Sequence, residues 1–139
     1  MRMIGIDVGD KTIGVAVSDP LGFTAQGIGT LKRKGNLKEE IKELHAIILQ
    51  YEVKQVIVGL PKNMDGSIGQ QAEKVIKYAD LLKQTLKLPV ILWDERLSTL
   101  MANRTLLEAD VSRAGRKKVI DKLAAVVILQ SYLDRGKKD

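Results

Sequence analysis

The chain contains no cysteine, one histidine, three prolines and few aromatic side chains, with one tryptophan, one phenylalanine and three tyrosines. Without cysteine, disulfide bonds, thiolate zinc sites and cysteine nucleophiles are excluded. The scarcity of aromatics argues against the stacking platforms that bind single-stranded nucleic acid. The longest apolar run covers residues 123–129 and is far too short to cross a bilayer. We expect a cytoplasmic protein, because a strand begins at once and leaves no room for a signal peptide.

The composition that remains is typical of one packed α/β domain over residues 1–139, with 45% hydrophobic residues. The net charge of +6 favours a polyanionic partner. The basic side chains form two groups along the chain. These are Lys32, Arg33 and Lys34, and Arg113, Arg116, Lys117, Lys118 and Lys122. With so few aromatics, backbone phosphates should dominate the contacts with a nucleic acid.

Apolar runs and turn signals predict strands at residues 2–8, 12–18, 23–31, 55–60 and 89–93. The first three form an antiparallel meander, and the helical crossovers make the later strands parallel. We therefore predict an α/β fold, in which a five-stranded mixed sheet is flanked by helices.

Helix signals fill the intervening segments. Asn36 is the expected cap of the first helix, and the second opens on a capping box at residues 67–70. A short helix from residue 98 or 99 to about 108, an irregular segment at 109–115 and a final helix over about 116–134 follow. The buried stripe of the first helix is expected at Leu37, Ile41, Leu44 and Ile48. We interpret the single histidine, His45, as a surface residue of that helix.

Three acids stand in apolar surroundings. Asp7 ends the first strand and Glu95 directly follows the last. In an open α/β sheet, ligands collect beyond the carboxyl ends of parallel strands, so both acids should lie at one edge. Helical spacing aligns Asp121 with Ala125 and Ile128, on a face that packs. Because a buried carboxylate without a partner is costly, each acid needs donors, a cation or water.

Each acid also has an ordinary structural interpretation. Asp7 could cap its turn, Glu95 could pair with Arg96, and Asp121 could favour the amino end of its helix or pair with a nearby lysine. Taken together, these interpretations require the apolar setting and the shared edge to be coincidences.

A divalent cation would remove the repulsion among clustered carboxylates. All-oxygen ligation suits Mg²⁺ or Mn²⁺ rather than zinc. Two such ions about 3.5–4 Å apart can activate a water and stabilise the leaving oxygen of a phosphodiester. The constellation therefore indicates a metal-dependent nuclease.

Four motifs, in order along the chain, carry a family resemblance. They are Gly5-Ile6-Asp7-Val8-Gly9 with Lys11 and Gly14, Val58-Gly59-Leu60-Pro61 with Asn63 and Gly66, Asp94-Glu95-Arg96-Leu97-Ser98-Thr99, and Val119-Ile120-Asp121 with Ala124-Ala125. Over essentially the whole chain they resemble the YqgF/RuvX family. Its members are described as Holliday junction resolvases and as nucleases that mature the 5′ end of pre-16S ribosomal RNA. The resemblance implies a ribonuclease H-like fold and two-metal phosphodiester hydrolysis.

The resemblance further implies that Asp7, Glu95 and Asp121 are the catalytic residues and the metal ligands, holding two Mg²⁺ or Mn²⁺ ions with substrate. It also implies nucleic-acid contacts by Lys11 and the basic segment before Asp121. The full set of expected contacts is Lys11, Lys62, Asn63, Arg96, Arg113, Arg116, Lys117 and Lys118. Related nucleases often present a fourth acid. The candidates here are Asp10, Asp19 and Asp94, and Asp94 is left out because strand geometry should point it away from Glu95.

The expected substrate is precursor 16S rRNA in ribosome biogenesis, with branched DNA in recombination and repair as the alternative. Matched cutting of a four-way junction would call for a dimer, and the sequence leaves monomer and homodimer open. A non-catalytic nucleic-acid-binding module would keep the basic side chains and need no metal. Asp-x-Gly also opens the phosphate-binding hairpin of actin-like ATPases, which need a second similar domain; stabilisation by ATP would favour that class.

Overall fold

The computed structural model describes the backbone of residues 1–98 and 113–135, and the side chains of residues 1–98 and 122–135. The strands described are β1 (Arg2–Val8), β2 (Thr12–Ser18), β3 (Ala25–Lys32), β4 (Val53–Leu60) and β5 (Val90–Asp94). The helices described are α1 (Leu37–Gln50), α2 (Gln70–Leu86) and α3 (Arg113–Leu133), and a 3-10 turn spans Glu95–Leu97. None of these helices is long and apolar enough to cross a membrane.

The strands form one mixed sheet in the order β3-β2-β1-β4-β5. β1, β2 and β3 make the predicted antiparallel meander, whereas β4 is parallel to β1 and β5 is parallel to β4. β1, β4 and β5 therefore run in the same direction, and their carboxyl ends share one edge of the sheet, the carboxyl edge. The predicted five-stranded mixed sheet is confirmed.

Side-chain alternation along β1 separates two cores. Ile4 and Ile6 pack with α1 and α2 in the larger core. Gly5 faces the other way, towards α3, where a Cβ atom would lie 2.7 Å from Cβ of Leu129. Because side chains two apart on a strand share a face, Asp7 lies on the same side of the sheet as Gly5 and α3.

Glycines in the central strands let α3 approach the sheet closely. A Cβ atom at Gly59 of β4 would lie 2.3 Å from Cδ1 of Ile128, which is closer than real atoms approach. Ala124 and Ala125 of α3 are fully buried in the same layer. The face of the sheet that carries Asp7 is thus covered by a helix backbone at short range.

α1 begins as predicted, with one change in its buried stripe. The Asn36 side chain accepts a hydrogen bond from the backbone N–H of Glu39 at 3.2 Å. Leu37, predicted to be buried, is 47% exposed, whereas Glu40 is buried. Glu40 forms an ion pair that holds it against the core, and apolar periodicity does not reveal such a pair.

The start of β3 differs from the prediction because a loop side chain binds backbone N–H groups there. β3 begins at Ala25 rather than at residue 23, since the Asp19 carboxylate accepts the backbone N–H groups of Phe23 and Thr24, each at 2.7 Å. These amide hydrogen bonds also hold the pKa of Asp19 below its ordinary value.

The capping box predicted at residues 67–70 is wrong. α2 begins at Gln70 with Gly69 as its N-cap, and no side chain caps it. The Ser67 hydroxyl donates to Asp65 at 2.6 Å and accepts from the Asn63 amide at 2.9 Å. Polar side chains within the loop therefore take the hydroxyl that the helix end was expected to use.

The last predicted segments lie partly outside the described residues. The short helix ending near residue 108 and the irregular segment at 109–112 fall there, as does the tail from residue 136. α3 begins at Arg113 rather than near residue 116, so residues 113–115 are helical. The side chains of Arg113, Arg116, Lys117, Lys118 and Asp121 also lie outside the description.

Candidate active site

Asp7 is a buried carboxylate near the end of β1. Its side chain is 7% exposed, and its Cα pairs with Gly14 in the neighbouring antiparallel strand. The strand places it on the face covered by α3, two residues beyond Gly5. β1 is hydrogen-bonded to a strand on each side, so the backbone that carries this carboxylate has little freedom.

Glu95 is the second buried carboxylate, 4% exposed, and opens the 3-10 turn directly after β5. The turn is closed by Ser98, whose backbone N–H and hydroxyl donate to the Glu95 carbonyl at 3.1 and 2.7 Å. Oε1 of Glu95 lies 2.9 Å from the position that a Cβ atom of Gly59 would occupy. The carboxylate therefore reaches across β4 on the same face as Ile128.

Gly59 separates the two acids. The parallel register pairs Ile6 of β1 with Val58 of β4, so Asp7 and Gly59 are the next residues along adjacent strands. Neighbouring strands lie about 4.8 Å apart. Asp7 and Glu95 therefore lie at the same edge of the sheet, as the sequence predicted. Since Glu95 occupies the space above Gly59, they also lie on the same face.

Position 121 lies in α3, one helical turn before Ala125. The carbonyl oxygen of Ala125 is 3.2 Å from the Cβ position of Gly5, which itself stands two residues before Asp7. The helix that carries Asp121 thus crosses the face that carries the two strand acids. The convergence of all three carboxylates stays a prediction, because the Asp121 side chain lies outside the description.

The donor set fits a hard divalent cation. Both described acids present carboxylate oxygens, and the exposed His45 lies on α1, which packs on the other face of the sheet. Because Gly59 has no Cβ, the Glu95 carboxylate can occupy the space above its backbone. Among the described side chains no group of three acids or histidines could hold an ion, and that set includes Asp7 and Glu95 but not Asp121. Carboxylate ligands of this kind suit Mg²⁺ or Mn²⁺.

Arg96, predicted to contact nucleic acid, binds within the protein. Its Nη2 and Nε donate to the Asp94 carboxylate at 2.8 and 3.1 Å, and its Nη1 donates to the Met64 carbonyl at 3.3 Å. The guanidinium also lies beside Gly66, 3.2 Å from the Cβ position. The Arg96 side chain holds the pKa of Asp94 below its usual range. Asp94 and Arg96 thus clamp the loop after β4 to the end of β5.

The other predicted contacts divide into engaged and exposed side chains. Nζ of Lys62 lies 4.0 Å from Oδ2 of Asp94. The Asn63 side-chain amide donates to the Ser67 hydroxyl inside the same loop. Lys11 is exposed on the turn between β1 and β2. The roles of these residues towards nucleic acid remain predictions.

Sequence reasoning missed the contacts of Arg33, which it grouped with two neighbouring lysines. In the structure Arg33 is 21% exposed, pairs with the buried Glu40 at 2.7 Å and donates to the Gly9 carbonyl at 2.8 Å. Its seven-residue separation from Glu40 was the available signal, but that separation crosses a strand end and a helix start. It therefore follows no local periodicity.

Comparison with known proteins supports the family resemblance found in the sequence. The family model described as "RuvX: Holliday junction resolvase" matches residues 1–135. A Clostridium novyi protein is 61% identical over 134 residues, covering 96% of this chain and 98% of its own length. A Clostridioides difficile protein is 62% identical over 133 residues, covering 96% and 94%. Both are named "Putative pre-16S rRNA nuclease".

Among solved structures, Thermus thermophilus RuvC in complex with a Holliday junction substrate aligns with a TM-score of 0.54 at 16% identity. The alignment covers 98% of this chain and 96% of that one. At this identity the likeness establishes the fold, which is ribonuclease H-like. Together with the family match over nearly the whole length, it leads to one conclusion: the chain is a member of the RuvX family.

Proposed function

We propose that this protein is a metal-dependent nuclease that hydrolyses phosphodiester bonds, with Asp7, Glu95 and Asp121 as its catalytic metal ligands. The observation that carries the proposal is the pair of buried carboxylates on adjacent parts of one sheet edge, with Glu95 seated above Gly59. The names of its RuvX relatives support hydrolysis of nucleic acid. The match over residues 1–135 supports a single nuclease domain.

Asp7 and Glu95 would hold the ion from the sheet, and Asp121 would hold it from the covering helix. When bound, Mg²⁺ or Mn²⁺ would supply an activated water and stabilise the leaving oxygen. The burial of both described acids strengthens their attraction for a cation, because a site shielded from water screens charge less. The hydrogen-bonded strands fix the carboxylates before substrate arrives, which lowers the cost of organising the site.

As substrate we propose the 5′ end of pre-16S rRNA, cut in the cytoplasm during ribosome biogenesis. The relatives that are 61% and 62% identical carry that substrate in their names. Four-way DNA is the second candidate, favoured by the family description and by the fold shared with a junction-bound RuvC. The positive charge of the chain suits the phosphate backbone of either nucleic acid.

The test is to present labelled precursor 16S rRNA, four-way junctions and single strands to the protein with Mg²⁺ or Mn²⁺. We expect cleavage of the precursor at its 5′ side, and no cleavage by Asp7→Asn purified in parallel, which controls for contaminating nuclease. Cleavage of junctions alone would replace RNA by branched DNA. Binding without cleavage by the wild type would favour the non-catalytic module.

A further inference from the structure

We propose that Arg33 is a positioning residue of this site: it fixes the turn that follows Asp7 and thereby the direction of the Asp7 carboxylate. The inference rests on the proposed function, since it assigns the side chain that organises the same site. Arg33 itself lies behind the turn, where its guanidinium bonds to protein groups rather than facing open solvent.

The turn after Asp7 is held through its carbonyl groups. Nη1 of Arg33 donates to the Gly9 carbonyl, and the backbone N–H of Arg33 donates to the Lys11 carbonyl, both at 2.8 Å. Gly9 closes the turn by donating its own N–H to the Thr12 carbonyl at 2.9 Å. Arg33 therefore bonds to both sides of a turn that begins two residues after Asp7.

Arg33 is itself fixed from two helices. Its Nε donates to Oε1 of Glu40 in α1, and the Glu40 side chain is 7% exposed. Its guanidinium lies 5.2 Å from the centroid of the Tyr78 ring in α2. Burial and the adjacent Glu40 carboxylate raise the pKa of Tyr78, and its aromatic face attracts the guanidinium. These contacts restrain the Arg33 guanidinium, so it stays in place to donate to the Gly9 carbonyl.

The pairing also explains why an arginine stands here. Oε2 of Glu40 makes no hydrogen bond among the described residues, so the ion pair with Arg33 compensates this buried charge. A planar fork presents Nε to the carboxylate and Nη1 to the carbonyl at the same time. A lysine would keep the charge but supply one compact donor group, so it would not reproduce both contacts in this geometry.

The test compares Arg33→Lys with wild type in single-turnover and steady-state cleavage. Because a misplacement of about 1 Å can cost about a hundredfold in rate, we expect kcat to fall by about tenfold to a hundredfold. We expect KM to change by less than about twofold, since Arg33 would not touch substrate. Lys42→Arg, which like Arg33→Lys exchanges one basic side chain for another, alters an exposed residue of α1 and is the matched control that should leave kcat unchanged.

A second readout does not depend on activity. The rate of hydrogen exchange at the Gly9 amide should rise by about tenfold in Arg33→Lys. The amides of Ile57 and Val58 in β4 should keep their protection from exchange. Arg33→Met/Glu40→Gln removes both charges, so it keeps the test valid if the lysine variant folds poorly. We expect the same kinetic and exchange pattern from it.

A raised KM with unchanged kcat would make Arg33 a phosphate contact and overturn the proposal. Unchanged kcat and unchanged Gly9 exchange would overturn it as well. If the wild type cleaves nothing, the proposed function fails, and unchanged Gly9 exchange in that case would show separately that Arg33 does not fix the turn.

Discussion

At the scale of single residues, Gly59 links helix packing to the candidate chemistry. The Ile128 side chain and the Glu95 carboxylate both occupy space that a side chain at this position would need. Gly9 is similar, because a Cβ there would lie 2.9 Å from the Thr12 carbonyl. These two glycines keep open the space that Glu95 and the turn after Asp7 require.

Gly59→Ala should therefore impair stability and the site together. The added methyl group would press on Ile128, and we expect the free energy of unfolding to fall by about 1–3 kcal/mol. It would also displace the Glu95 carboxylate and weaken Mn²⁺ binding. Denaturant unfolding and calorimetric titration measure the two effects.

The double variant Gly59→Ala/Ile128→Val separates these effects. Removing Cδ1 of Ile128 relieves the tightest contact, so part of the lost stability should return while Mn²⁺ binding stays weak. Recovery of metal binding along with stability would show that Gly59 acts through packing alone.

At the scale of elements, the loop between β4 and α2 depends on the clamp formed by Asp94 and Arg96. The arginine contacts both the end of β5 and the Met64 carbonyl in the loop. Asn63, Asp65 and Ser67 bond to one another within the loop. The clamp and this internal network together hold the loop at the carboxyl edge, beside the turn that carries Glu95.

Asp94→Asn should lower the free energy of unfolding by roughly 0.5–1 kcal/mol at neutral pH, the range of partly exposed ion pairs. Because the pKa of Asp94 is lower in the folded protein than its ordinary value of 3.8, the pair stabilises the fold at pH values above that value. Its contribution should disappear as the pH falls through the folded pKa. Denaturant unfolding of both proteins from neutral pH down into the acid range, where Asp94 becomes protonated, measures this convergence.

The control is Asp80→Asn, which alters an exposed carboxylate on α2. Its difference from wild type should be smaller than that of Asp94→Asn throughout the pH range. A difference for Asp94→Asn that persists undiminished at the acid end would contradict the clamp.

β1, β2 and the start of α1 could be predicted, because apolar runs and an Asn36 cap act through neighbouring residues. Ser67 could not be placed, since two local hydrogen-bonding patterns compete for one hydroxyl. Glu40 was missed because its partner Arg33 comes from the end of another element.

The candidate site was predicted to the extent that strand order determines it. Asp7 lies near the end of β1 and Glu95 directly follows β5, so a correct topology brings them to one edge. The position of the Glu95 carboxylate above Gly59 could not be predicted in the same way, because it depends on the distance of α3 from the sheet.

At the scale of the whole molecule, the charge of +6 governs encounters with a nucleic acid. Lys42, Lys77 and Lys83 lie exposed on α1 and α2, away from the face that α3 covers. The predicted phosphate contacts Arg113, Arg116 and Lys117 belong to the first turns of α3. The two groups carry equal charge, so they separate a local contact from a general electrostatic effect.

Replacing Arg113, Arg116 and Lys117 by alanine should weaken binding across many sequences. Each lost phosphate contact should also reduce the slope of log K against log salt by about 0.7–0.9. Fluorescence anisotropy over a salt series measures both quantities. The equal-charge control, with Lys42, Lys77 and Lys83 replaced by alanine, should change affinity less and leave the slope nearer the wild-type value. Equal effects of the two triple variants would place the contacts on another surface.

The most direct measurement of the central claim is calorimetric titration of Mn²⁺ into the wild type, Asp7→Asn, Glu95→Gln and Asp121→Asn, with Asp80→Asn as the control. Asp80 is an exposed acid on α2, which packs on the face of the sheet opposite Asp7. We predict binding to the wild type and the control, and loss of binding in each of the other three variants. Wild-type binding that survives any one of those three substitutions would contradict a joint site.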